Sequence, residues 1–105
     1  GIASQIMRAS LVRASTYALS GRADSEWGIV QSGPDIILFA GSSFAQRQTG
    51  FDEVIPLPKN VTISPFGEIV FHRPEGTTQS STLQISGGLN TITLLITKEG
   101  AVIEL

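Results

Sequence analysis

Two rhythms divide the chain. Through Ser4–Gly21 the apolar positions recur every three or four residues, and from Trp27 onward they alternate in short runs. On a helical plot Ala3, Ile6, Met7, Ser10, Leu11, Ala14, Tyr17 and Ala18 fall on one arc of about 140°, wide enough for a core-facing stripe. The pattern predicts one amphipathic helix whose Met7, Leu11, Ala14, Tyr17 and Ala18 pack on a sheet, with Gln5, Arg8, Ser15 and Thr16 towards solvent. Small residues in the stripe would let the sheet approach closely. Gly21 follows the last periodic position, where a left-handed cap has no β-carbon to accommodate. The start is less well marked. Ile2 and Ala3 already belong to the pattern, and Ser4 is a weak cap without an acidic residue in the first turn. Either a native helix frays here, or its natural beginning lies upstream and Gly1 is an added residue; the second is the expectation.

The remainder predicts strands. Trp27–Gln31 and Asp35–Ala40 form a first hairpin through Ser32-Gly33-Pro34, and Gly41–Gly50 reads as a polar loop around Phe44. Val54–Leu57 is a short strand with Pro56 and Pro58, which suits an edge. Asn60–Ser64 turns through Pro65-Phe66-Gly67 into Glu68–His72. After a polar loop at 73–80 come Thr82–Ser86, a turn over Gly87–Asn90, Thr91–Thr97, and Ala101–Leu105 beyond Lys98-Glu99-Gly100. Val61 and Ile63, Ile69 and Phe71, Leu83 and Ile85, and Ile92, Leu94 and Ile96 are the inward positions. About eight antiparallel strands after one helix define an α+β domain, with residues 1–21 as the helix and 22–105 as a β-rich head.

Composition narrows the partners. A chain of 105 residues with 41% hydrophobic and 15% charged residues is a folded protein with room for one core. Net charge is −2, divided unevenly: Arg8, Arg13 and Arg22 give the first 22 residues +3, and the rest carries four bases against nine acids. An acidic body argues against nucleic acid as the main partner, although counts this small are also compatible with ordinary scatter. Cysteine is absent, which removes disulfides and thiolate metal sites. No apolar run reaches the ~18–20 residues of a membrane span, and no secretory signal is visible, so solubility is expected.

Candidate chemistry is sparse. His72 is the only histidine, so paired-histidine metal sites are excluded. No nucleophile elbow, phosphate-binding loop or dinucleotide fingerprint is present. Asp24, Ser25 and Glu26 offer oxygen ligands for calcium or are a solvated connection, and Asp52-Glu53 is a second acidic pair. Asn60-Val61-Thr62 matches a glycosylation sequon inside a predicted strand. Neither catalysis nor a cofactor is expected.

One family shares the order of these features. The helix end Arg13-Ala14-Ser15-Thr16-Tyr17-Ala18-Leu19-Ser20-Gly21, the Trp27-Gly28-Ile29 strand and the Ile37-Leu38-Phe39 strand resemble those of the GspH/FimT group of type IV pilin-like minor pilins and pseudopilins. The passages from Asp52-Glu53-Val54 to Leu57-Pro58, from Glu68–Phe71 to Gly76, and from Thr91-Ile92-Thr93 to Gly100 are similar as well. Each motif is loose, and their order carries the resemblance. The family's processing site, its glutamate and its hydrophobic N-terminal helix are not in this sequence. The resemblance implies a structural subunit of a type IV pilus or type II secretion pseudopilus, placed at or near the tip. It also implies a single-pass inner-membrane protein of the bacterial envelope before assembly, with other pilins as partners.

Within that reading Val12 and Leu19, apolar and seven residues apart on the polar side of the helix, are candidate subunit contacts or scattered surface residues. The isolated domain is expected to be a monomer. The competing reading is a free-standing carbohydrate- or protein-binding module that uses Phe44 and its loop as the contact surface.

Overall fold

The computed structural model describes residues 2–64, 67–88 and 90–105. The turn expected at Pro65-Phe66, Leu89 in the expected turn before Asn90, and Gly1 lie outside them. The helix runs Ile2–Ser20, followed by β1 (Trp27–Ser32), β2 (Asp35–Ala40), β3 (Glu53–Pro56), β4 (Val61–Ser64), β5 (Ile69–Phe71), β6 (Ser81–Gly87), β7 (Asn90–Ile96) and β8 (Val102–Glu104). The fold is α+β, as the two rhythms require. The strands form two four-stranded antiparallel sheets, β3-β2-β1-β5 and β4-β6-β7-β8. The proline-flanked strand β3 lies at an edge, where a missing ladder donor is tolerated.

Register explains what each sheet buries. Trp27 pairs with Ala40 and Phe71, and Ile29 with Leu38 and Ile69. These residues therefore share one face with Ile36, and all are buried. In the second sheet Ile63 pairs with Ile85, Ile85 with Ile92, Leu83 with Leu94, and Ile96 with Val102. Both sets join Met7, Leu11, Ala14 and Ala18 in one apolar cluster. Each of those four helix residues is 0% exposed. Removing Met7 and Leu11 from water stabilises the fold by roughly 1.5–3 kcal/mol each. Tyr17 is partly buried, its ring edge-on to Trp27 at 4.8 Å between centroids.

Two helix positions, Ser4 and Ser15, differ from the sequence reading. Ser4, a cap candidate, lies inside the helix and is 4% exposed. Ser10 is buried too, its hydroxyl donating to the Ile6 carbonyl at 2.7 Å. Ser15, expected in solvent, is partly buried because Gly76 and Gly100 close against it. A β-carbon built on Gly100 would lie 2.3 Å from the Gly76 carbonyl oxygen and 2.7 Å from Ser15 Oγ. Glycine at 100 thus lets the β7–β8 turn, the turn after β5 and the helix meet. The contact joins both sheets to the last third of the helix.

The helix ends at Gly21 in the left-handed conformation (φ 72°, ψ 23°). The polar connection expected after it contains a short 3-10 turn, Arg22–Asp24, in which Ala23 and Asp24 also have positive φ. Trp27 Nε1 donates to the Arg22 carbonyl at 2.8 Å, so the same connection satisfies the buried indole. A second 3-10 turn, Thr49–Phe51, interrupts the loop before β3. Asn60 precedes β4 rather than opening it, with φ at 63°.

Candidate functional site

The helix carries two stripes at the same spacing on opposite sides. Ser4, Met7, Leu11, Ala14 and Ala18 descend the buried side in steps of three and four. Ile2, Gln5, Ala9, Val12, Thr16 and Leu19 descend the other side in the same steps, and all six are exposed. Alternating steps of three and four average 3.5 residues, close to one helical turn, so each stripe stays on its face. Ile2 is 69%, Val12 46% and Leu19 59% exposed. Val12 and Leu19, singled out by sequence, therefore stand in a line with Ile2 and Ala9, which sequence reasoning missed. The signal was present: counting outward from Val12 by three and four reaches both. Ile2 had been grouped with the core pattern because it lies beside Ala3.

Charge borders this outer stripe. Arg13 Nη1 donates to Glu53 Oε1 at 2.7 Å, with both side chains partly in water. Arg8 is in no ion pair among the described residues. Arg22, just past the helix end, stacks its guanidinium over Tyr17 at 4.5 Å from the ring centroid. The helix itself, Ile2–Ser20, contains no acidic residue.

Phe44 occupies a different place from the one expected of it. Its ring is partly buried, 5.6 Å edge-to-face from Phe39, and the Arg47 guanidinium covers it at 3.8 Å. Arg47 also donates to the Phe44 carbonyl and to Asp52, while the Phe44 amide donates to Glu68 Oε2 at 2.9 Å. Phe39 points away from the helix, on the reverse face of the first sheet, and the loop folds back to cover it. Phe44 is thus the underside of a lid on that face. The residue stays partly exposed, with its ring packed between Phe39 and Arg47.

The acidic candidates all have side-chain partners. Asp24 pairs with Arg73, Glu26 with His72 Nδ1, Asp52 with Arg47 and Glu53 with Arg13. Asp24 and Glu26 are drawn to two adjacent residues past β5, which fastens the helix–strand connection to the edge of the first sheet. Among the described residues no three His, Asp or Glu side chains converge as a metal site would require. Among the described residues one open groove of about 440 Å³ lies between β5 and the start of β6, and another of about 450 Å³ lies beside Ile2, Val61 and Ile92. The second is the more apolar and meets the upper end of the outer stripe at Ile2.

No family model, curated protein or solved structure matches the chain. Among the described residues no helix is long and apolar enough to cross a membrane.

Proposed function

We propose that this chain is the head of a minor pilin or pseudopilin of the GspH/FimT type, a structural subunit of a type IV pilus or type II secretion pseudopilus. The observation that carries the reading is one helix divided between two surfaces. Its inner stripe holds the antiparallel body, and its outer stripe keeps Ile2, Val12 and Leu19 in water at regular spacing. Isolated exposed apolar residues need no explanation, but a line of them along one helix is the form of a helix–helix contact. The ordered set of sequence resemblances supports the same reading. In this account the whole protein is held in the inner membrane by a preceding hydrophobic helix and then enters a filament beside other pilins. The acidic body disfavours nucleic acid as a partner. The alternative, a free binding module, would have to use a Phe44 already packed against Phe39 and Arg47.

The test combines Val12→Lys with Leu19→Lys, read in two ways. In the isolated domain the melting temperature should move by no more than about 6 °C, because each surface substitution usually stays within ~0.5 kcal/mol. In cells making the full-length protein, piliation or secretion should be lost. Normal assembly with both lysines in place would overturn the subunit reading.

A further inference from the structure

We infer that the outer stripe takes an amphipathic helix whose flanking positions are acidic, and that it prefers such a helix to that of a second copy of this chain. The inference rests on the subunit-contact reading above and names the partner's chemistry. Written as heptads, Ile2, Ala9 and Thr16 take the first apolar position, and Gln5, Val12 and Leu19 the fourth. All six are exposed. Arg8 then immediately precedes one first position, and Arg13 immediately follows one fourth position. These are the two flanks that face a partner's charges across a helix pair.

With no carboxylate in the helix, a second copy offers neither arginine an opposite charge in either direction. Two parallel copies in register place Arg8 of each against Arg13 of the other, twice by symmetry. Two antiparallel copies overlapped along the whole stripe place Arg8 across from Ser15 and Arg13 across from Ile6, so neither arginine meets a carboxylate. Like charges at such positions suppress a pairing, and acidic residues on a partner satisfy both flanks at once. Arg13 remains able to take part while bound to Glu53, because only its Nη1 is engaged there and a guanidinium has five donors. Arg8 has every donor to offer a partner carboxylate.

The rest of the molecule makes the inference easy to test. Beyond residue 22 the chain carries four bases against nine acids, so the body repels an acidic ligand. A preference for one can arise only at the helix. The stripe is also modest, with polar Gln5 and Thr16 among its six residues. A single helix should bind weakly, and in a filament tethering would raise its effective concentration.

Two three-heptad synthetic peptides serve as probes, with the same Ile/Leu seam and with either Glu or Lys at every flanking position. Each repels itself, so neither is lost to self-association. Binding is measured by fluorescence anisotropy at low and high salt. The Glu peptide should bind the domain about tenfold or more tightly than the Lys peptide at low salt, and the difference should shrink at high salt. Arg8→Glu, which breaks no ion pair, should cut the preference at least about threefold, and Arg8→Glu with Arg13→Glu should reverse it. Val12→Ser with Leu19→Ser should abolish binding of the Glu peptide. Equal affinity for the two peptides, no binding of either at millimolar concentration, or a preference untouched by Arg8→Glu would overturn the inference. If assembly in cells requires Val12 and Leu19 while the peptides bind alike, the filament reading stands and the acidic partner falls. If the peptides discriminate while assembly ignores Val12 and Leu19, the acidic-helix site stands and the filament reading falls.

Discussion

Ala14→Glu is expected to lower the melting temperature by 15 °C or more, on the order of 3–5 kcal/mol for a domain of this size. Ala14 is 0% exposed in the middle of the inner stripe, between Leu11 and Ala18. A glutamate there adds four heavy atoms to a filled interior, an overpacking cost of roughly 1–3 kcal/mol. Its carboxylate must also leave water without a partner, which costs a comparable amount or protonates the group. Ala9→Glu is the matched control, because the same change five residues earlier falls on the exposed stripe. It should stay within about 0.5 kcal/mol of the parent. Equal melts for the two variants would mean that the helix faces are exchanged.

Gly100→Ala should be the costliest single methyl in the molecule, losing about 3 kcal/mol in urea denaturation. Part of the cost is conformational: at φ +91° an L-residue is strained by roughly 1–2 kcal/mol. The larger part is steric, since the new β-carbon would sit 2.3 Å from the Gly76 carbonyl oxygen. A flexible side chain could swing away, but this neighbour is backbone, fixed by the turn after β5. Gly33→Ala separates the two causes. Gly33 also has positive φ, at +59°, and nothing lies within 4 Å of its added carbon, so only the conformational cost applies. Similar losses at both glycines would show that the three-way contact of helix and turns contributes little.

Periodicity made most of the fold legible. The helix is a long amphipathic segment, and the strands of the second sheet alternate over most of their length, with Leu95 and Ile103 as exceptions, because one face of that sheet is buried. Asp35–Ala40 carried a different signal, an unbroken apolar run from Ile36 to Ala40. Such a run marks a strand covered on both faces, and its second cover proved to be the loop bearing Phe44. Reading Phe44 as a surface contact overlooked that Phe39 required something to bury it. The 3-10 turns at Arg22–Asp24 and Thr49–Phe51 have no period to detect. Ser15 is half hidden by glycines 61 and 85 positions away in sequence, a contact that no local pattern encodes. The outer stripe was partly visible through Val12 and Leu19. Its extension to Ile2 and Ala9 needed the exposure of each residue, since helical spacing alone gives the same steps on either side.

The central claim, that the outer face of the helix is a subunit contact, is tested most directly by cross-linking in cells. The chain has no cysteine, so Val12→Cys places a single thiol on the face in question. The full-length protein carrying it, produced with its natural partners and treated with a short thiol cross-linker, should yield a higher-mass adduct containing a partner subunit. Thr62→Cys, equally exposed in class but on the second sheet, should yield none under the same treatment. Adduct at position 12 alone is the predicted result; no adduct at 12, or the same adduct at 62, would contradict the account.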